Sequence, residues 1–336
     1  MPHGAAILGC LGPTISPGEA AFFADADPWG FILFARNVET PDQLRRLTAG
    51  LRASVGREAP ILVDQEGGRV QRLRAPHWRE FPPPLDQLAA TPPAQVARTM
   101  WLRGRLIAAD LASVGINVNC APSADLAEPE THPFLANRCY GSDPATVAAA
   151  GRALVAGMAA GGVLPVLKHM PGHGRARLDT HHELPRVDAT VADLMAHDFA
   201  PFRALRDLPM AMTAHIVFSA IDPDAPATCS PAMIRVIREQ IGFQGLLMTD
   251  DLSMQALSGS LQDRAAAAIA AGCDLVLHCN GQPGEMAQVV AAAGRMTAPA
   301  MTRAASALAR QHPAEPVDIA ALAAEFEALA GGRGNG

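Results

Sequence analysis

The sequence predicts an α/β fold, a single (β/α)8 TIM barrel, and three observations carry that prediction. Short apolar runs recur from AAILGCLG (5–12) to CDLVLHCN (273–280) with helical segments between them. That alternation is the pattern of a parallel sheet wound with helices. A polar residue closes run after run: Asp64, Asn119, Lys168, His215, Asp250 and Asn280. A barrel collects those ends on one rim, where such folds keep their chemistry, whereas a doubly wound open sheet, the rival arrangement, spreads them along an edge. No composition break or linker divides the chain, so 1–330 is expected to form one catalytic barrel domain, with 331–336 as a disordered tail.

The elements follow in order. AAILGCLG and GFILFARN (30–37) are the first two strands. Thr40, Pro41 and Gln43 then set a helix start with a capping box, and Leu44, Leu47 and Leu51 fall on one face of that helix. PILVDQEGG (60–68) is a strand ending in polar residues and glycines. A proline-rich loop at 81–84 leads to a helix over about 94–114. GINVNCAPSAD (115–125) is the fourth strand, and Ser142-Asp143-Pro144 caps the next helix. VLPVLKH (163–169), LPMAMTAHIVF (208–218), GLLMTDDL (245–252) and CDLVLHCN complete the eight. Helices are expected at 232–240, ending at Ala271-Gly272, and at 318–329.

Composition excludes several functions. A net charge of -6 with no basic run argues against nucleic acid and anionic membranes as partners. No apolar stretch reaches the roughly 18 residues a spanning helix needs, and the N-terminus lacks a basic n-region and a signal cleavage site, so a cytoplasmic location is expected. The six cysteines are scattered without a CxxC pair, as buried reduced thiols would be.

The densest chemistry lies in KHMPGHGRARLDTHHELP (168–185), with one lysine and four histidines in a segment that Pro171, Gly172 and Gly174 keep from being helical. His169 and His173 are four apart, a metal spacing only on a helix, and no carboxylate pattern accompanies them, so no metal is assigned. Asp179 and His181 can pair on an irregular segment, the carboxylate orienting the imidazole as a proton shuttle. His173 and His182 read as structural. Asp250 either caps the following helix or acts as a catalytic carboxylate, with Asp251 available for the cap. In DQEGGRVQRL, Asp64 with Arg69 or Arg72 can clamp ligand hydroxyls or form a solvated turn; no phosphate-loop pattern follows Gly67-Gly68. Arg138 alone reads as a surface charge.

Together these segments resemble bacterial β-N-acetylglucosaminidases of glycoside hydrolase family 3. KHMPGHGRARLDTHHELP is similar to that family's KH-x-PGHG-x4-D-x-H-x3-P signature. DQEGGRVQRL, NRCYGSDP, MTAHIVFSAIDPDAPATCS and MTDDLSM match in the expected order, so the resemblance runs from Ile7 to about Asn280. Met170 stands where phenylalanine is usual, and Cys139-Tyr140 where the arginine loop often has Ser-Phe. The length fits the family's one-domain form. The resemblance implies Asp250 as nucleophile, His181 as general acid/base with Asp179 as its partner, and Asp64, Arg72, Arg138, Lys168 and His169 as binders of N-acetylglucosamine in the −1 subsite. It implies retaining hydrolysis without a metal or organic cofactor. It also implies a monomer acting on small carbohydrates, namely N-acetylglucosamine-anhydro-N-acetylmuramic acid muropeptides, in peptidoglycan recycling and cell wall biogenesis.

Three other classes fit the same residues. A glycoside phosphorylase would use the same site, because a histidine acid/base does not repel incoming phosphate. A metal-dependent barrel hydrolase would take His169, His173 and His181 as ligands. A sugar-binding protein would hold N-acetylglucosamine without turnover.

Overall fold

The computed structural model describes residues 2–176, 178 and 183–330. The strands of its main sheet are short, largely buried and rich in Leu, Ile and Val, as strands covered by helices must be. In chain order the strands are β1 (Gly4–Gly9), β2 (Pro28–Leu33), β3 (Ile61–Val63), β4 (Val118–Asn119), β5 (Leu164–Pro165), β6 (Leu167–Met170), β7 (Arg186–Val187), β8 (Met210–Thr213), β9 (Val217–Phe218), β10 (Leu246–Asp251) and β11 (Leu275–His278). The main sheet runs β5-β4-β3-β2-β1-β11-β10-β8-β6, and every pairing in it is parallel. Its two ends, β5 and β6, are separated by one residue, Val166, whose N–H bonds to Asn119 O at 2.9 Å. The two pieces are therefore one interrupted strand, and the sheet closes on itself as a (β/α)8 barrel.

Each expected strand is present. The helix Pro41–Val55 starts on Thr40, whose hydroxyl accepts from Gln43 N at 3.2 Å, but the expected capping box is not completed. The Gln43 side chain accepts from Glu39 N at 2.9 Å instead, one residue beyond the cap. Leu44, Leu47 and Leu51 are buried as the spacing required. Asp143 caps the helix Pro144–Ala160 by accepting from Thr146 N at 2.8 Å.

The helix Val96–Ala112 packs backbone to backbone on Pro144–Ala160, through two reciprocal glycines. A Cβ at Gly104 would meet Leu154 O at 2.1 Å, and one at Gly157 would meet Trp101 O at 2.0 Å. The last helix, Ile319–Ala330, lies on the outside of Val96–Ala112, with Arg98 paired to Glu325 and Phe326 edge-on to Phe81. Below the barrel, the connection to that helix is tied by Glu315 N to Ala160 O at 2.8 Å. Among the described residues no helix is long and apolar enough to cross a membrane, and all six cysteines are free.

Candidate active site

The carboxyl ends of the strands open into a small cavity of about 120 Å³. Asp64, Arg72, Arg138, Lys168, His169 and Asp250, six of the residues singled out from the sequence, line it together with His173, Asp251, Phe34, Phe134, Met254 and Cys279. Asp179 and His181 lie outside the described residues, as does His182.

The polar side chains arrive from strand ends and from the loops that follow them. Asp64 follows β3, and Arg72 returns to it across the Gly67-Gly68 turn, Nη2 to Oδ2 at 3.2 Å. Gly67 has φ +108°, and a Cβ there would collide with the buried Arg103 guanidinium, so only glycine lets the turn close over Arg103. Lys168, in β6, is almost wholly buried and places Nζ 2.7 Å from Asp64 Oδ1 and 2.6 Å from Glu66 Oε1. Arg138 grips Glu66 with Nε to Oε2 at 2.9 Å and Nη2 to Oε1 at 2.8 Å. Arg103 in turn donates to the Glu66 backbone carbonyl.

The charges in this web hold one another ionised. Burial pushes the Asp64 and Glu66 carboxyls upward, but Lys168 with Arg72 for the first, and Arg138 with Lys168 for the second, outweigh it. Asp64 ends well below the ordinary carboxylate range, and Glu66 is lowered to about 2. Burial acts against the charged forms of Lys168 and Arg138 too, and the same carboxylates reverse it, raising both. Removing any member would leave an uncompensated buried charge.

Asp250 ends β10. Its Oδ1 accepts from Asp251 N at 2.8 Å, while Oδ2 lies 4.0 Å from His169 Nε2. Burial raises this carboxyl, but His169, His215, the Asp251 N–H and Lys168 bring it below its ordinary value. It is thus an ionised carboxylate facing the cavity, the state a nucleophile needs. Asp251 also borders the cavity but accepts from Ser253 N at 3.1 Å and Cys279 N at 3.2 Å; the following helix, Leu261–Ala271, is capped by Ser260, so the cap expected of Asp251 is not formed.

Two histidines flank Asp250. His169 Nδ1 is 2.7 Å from Asp125 Oδ2, and His215 Nε2 is 3.0 Å from the Asp251 carbonyl. His173 also reaches the cavity; burial, then His169, lowers it to about 4, and its ring stands edge-on to His169 at 5.5 Å. Of the two arginines near Gly68, only Arg72 lines the cavity. Arg69 is exposed, with its guanidinium 3.6 Å from the Phe134 ring centroid.

Sequence reasoning missed Glu66 and Asp125 and undervalued His173. Glu66 carried a signal: in DQE, residues two apart in an extended strand end face the same way, so Asp64 and Glu66 share a side. Asp125 sits six residues beyond β4, where no periodicity reports direction.

Residues 18–310 match the glycosyl hydrolase family 3 N terminal domain. A β-hexosaminidase of Alkalilimnicola ehrlichii is 40% identical over 289 residues, covering 83% of this chain and 82% of that protein. One of Bordetella avium is 35% identical over 286 residues, with 83% and 81% covered. The crystal structure of NagZ from Neisseria gonorrhoeae in complex with N-trifluoroacetyl-D-glucosamine superposes with a TM-score of 0.88 at 28% identity, over 98% of this chain and 99% of that one. Fold, length coverage and identity agree, and the chain belongs to glycosyl hydrolase family 3, among its β-hexosaminidases.

Proposed function

We propose that the chain is a retaining exo-β-N-acetylglucosaminidase that releases terminal non-reducing N-acetylglucosamine. The observation that carries this reading is the Asp250 carboxyl at the strand-end cavity, beside the Asp64–Lys168–Glu66–Arg138 web. A β-hexosaminidase kinship and a structural relative solved with an N-acylglucosamine support the sugar.

In the first step the Asp250 carboxylate attacks the anomeric carbon as the bond to the leaving oxygen breaks. His181, protonated and paired with Asp179, gives that oxygen its proton. A covalent glycosyl-enzyme results. His181, now neutral, takes a proton from water, the water oxygen displaces Asp250, and the sugar leaves with its configuration retained. Two carboxyl groups are the usual pair in retaining enzymes, so a histidine acid/base departs from that pattern. Asp64, Arg72, Lys168 and His169 bind sugar hydroxyls. Arg138 contributes through what Glu66 leaves of its fork, chiefly Nη1. Charge-assisted contacts of this kind strengthen as the oxocarbenium-like transition state forms.

In this reading residues 1–330 act as one catalytic unit, as a monomer without a cofactor. The substrates are N-acetylglucosamine-anhydro-N-acetylmuramic acid muropeptides, met in the cytoplasm during peptidoglycan recycling. The test is turnover of an aryl β-N-acetylglucosaminide beside the matching glucoside, with the product anomer read by NMR, in the presence and absence of phosphate. Release of β-N-acetylglucosamine at a phosphate-independent rate supports the reading. An α product, a sugar 1-phosphate, or preference for the glucoside overturns it.

A further inference from the structure

The residues around Asp250 contain a histidine–carboxylate pair, His169 with Asp125. Asp125 is fully buried in the loop after β4, and its two oxygens are committed to the segment after Lys168. Oδ2 lies 2.7 Å from His169 Nδ1 and accepts from Ser123 Oγ at 3.1 Å; Oδ1 accepts from His173 N at 2.8 Å; both oxygens stand 3.3 Å from His169 N. A carboxylate here can only accept, so His169 Nδ1 carries a proton. On the other side of the ring, Nε2 faces Arg138 Nη2 at 3.4 Å. A guanidinium can only donate, so a lone pair at Nε2 suits that neighbour and an N–H does not. The reverse holds at His215: Nε2 meets the Asp251 carbonyl at 3.0 Å and must donate, while Nδ1 is 2.7 Å from the Thr228 hydroxyl and can accept.

We propose that Asp125 is a positioning residue that locks His169 in the Nδ1–H tautomer, so that its Nε2 lone pair faces the sugar beside Asp250. The long contact to Arg138 leaves that lone pair open to a better donor, such as a sugar hydroxyl. With Nε2 and Asp250 Oδ2 4.0 Å apart, the two acceptors form a corner that selects a donor on the sugar close to the anomeric carbon. Asp125 accepts hydrogen bonds at both oxygens, from Ser123 Oγ and His169 Nδ1 at one and from His173 N at the other, which favours its ionised form. The part concerning sugar rests on the function proposed above; the tautomer does not.

The experiment is long-range 1H–15N NMR on protein labelled at histidine, with His169 assigned by its absence in His169→Gln. The wild-type ring should show Nδ1 protonated and Nε2 bare. In Asp125→Asn, where the carboxamide can donate to Nδ1, the ring should shift toward the Nε2–H form. Hydrolysis by that variant should fall at least about 100-fold in kcat, with KM changed less than tenfold, as when a histidine is held in the wrong tautomer. A doubly protonated or Nε2–H ring in the wild type overturns the proposal, and that measurement needs no variant to fold. A normal kcat in Asp125→Asn, or a loss of rate with the tautomer unchanged, also overturns it. If the wild type has the expected tautomer but no hydrolytic activity, the function fails while the pairing stands.

Discussion

Glu66 gives both of its carboxylate oxygens to one edge of Arg138, at 2.9 and 2.8 Å, and shares one of them with Lys168. The acid is almost completely buried, so the three groups stabilise one another only as a set. Glu66→Gln leaves two buried cations short of a charge and should cost about 3 kcal/mol of stability. It should also raise KM for the sugar, because Arg138 and Lys168 lose the group that aims them. Urea unfolding and Michaelis kinetics check the two effects, and an unchanged unfolding midpoint would contradict the account.

Asp250→Ala should lower kcat for an aryl N-acetylglucosaminide by at least about 1000-fold, roughly 4 kcal/mol of transition-state stabilisation. Near-normal turnover would remove Asp250 from the mechanism.

His181→Ala should discriminate between leaving groups. An activated aryl group departs with little help from an acid, so its first step should lose less rate than that of a natural glycoside. Equal losses, measured by single-turnover kinetics, would count against protonation by His181.

Acid should act on the fold in two stages. His173 is lowered to about 4 from an ordinary 6.5. Between those values the unfolded chain binds a proton that the folded chain refuses, and stability declines as pH falls through that window. Glu66 and Asp125 are both lowered to about 2, from 4.5 and 3.8. Their stabilising effect is complete above the unfolded values and is lost from about pH 4.5 downward. Chemical unfolding at a series of pH values should show both declines, and His173→Phe should remove much of the earlier one.

Gly104→Val should destabilise by about 3 kcal/mol or more, since its Cβ would strike the Leu154 carbonyl at 2.1 Å and backbone cannot rotate away. A thermal midpoint within a degree of wild type would show that the helix pair can separate cheaply.

The barrel was legible because its signals are local. Each strand is a continuous apolar run, and Asp64, Lys168 and Asp250 announce themselves as charges at the ends of such runs. Closure was not written locally: it depends on Leu164–Pro165 and Leu167–Met170 pairing with different neighbours across one residue. The helix Pro17–Ala26 escaped notice although Ser16 and Glu19 form a complete capping box, because its composition shows no apolar stripe. Asp125 was invisible for another reason. Its role arises only when the loop after β4 is laid against His169, 44 positions later.

The charges lining the cavity have a consequence for how the site meets its ligand. Lys168, Arg138 and Arg72 are already engaged by Asp64 and Glu66, and Asp250 and Asp251 add two further carboxylates at the cavity wall. Among the described residues, these three cations are each paired with a carboxylate. A neutral sugar has to displace no counterions, so KM should stay nearly constant from low to high ionic strength, as measured with sodium chloride. A site arranged this way would select by the direction of its hydrogen bonds rather than by net attraction of charge.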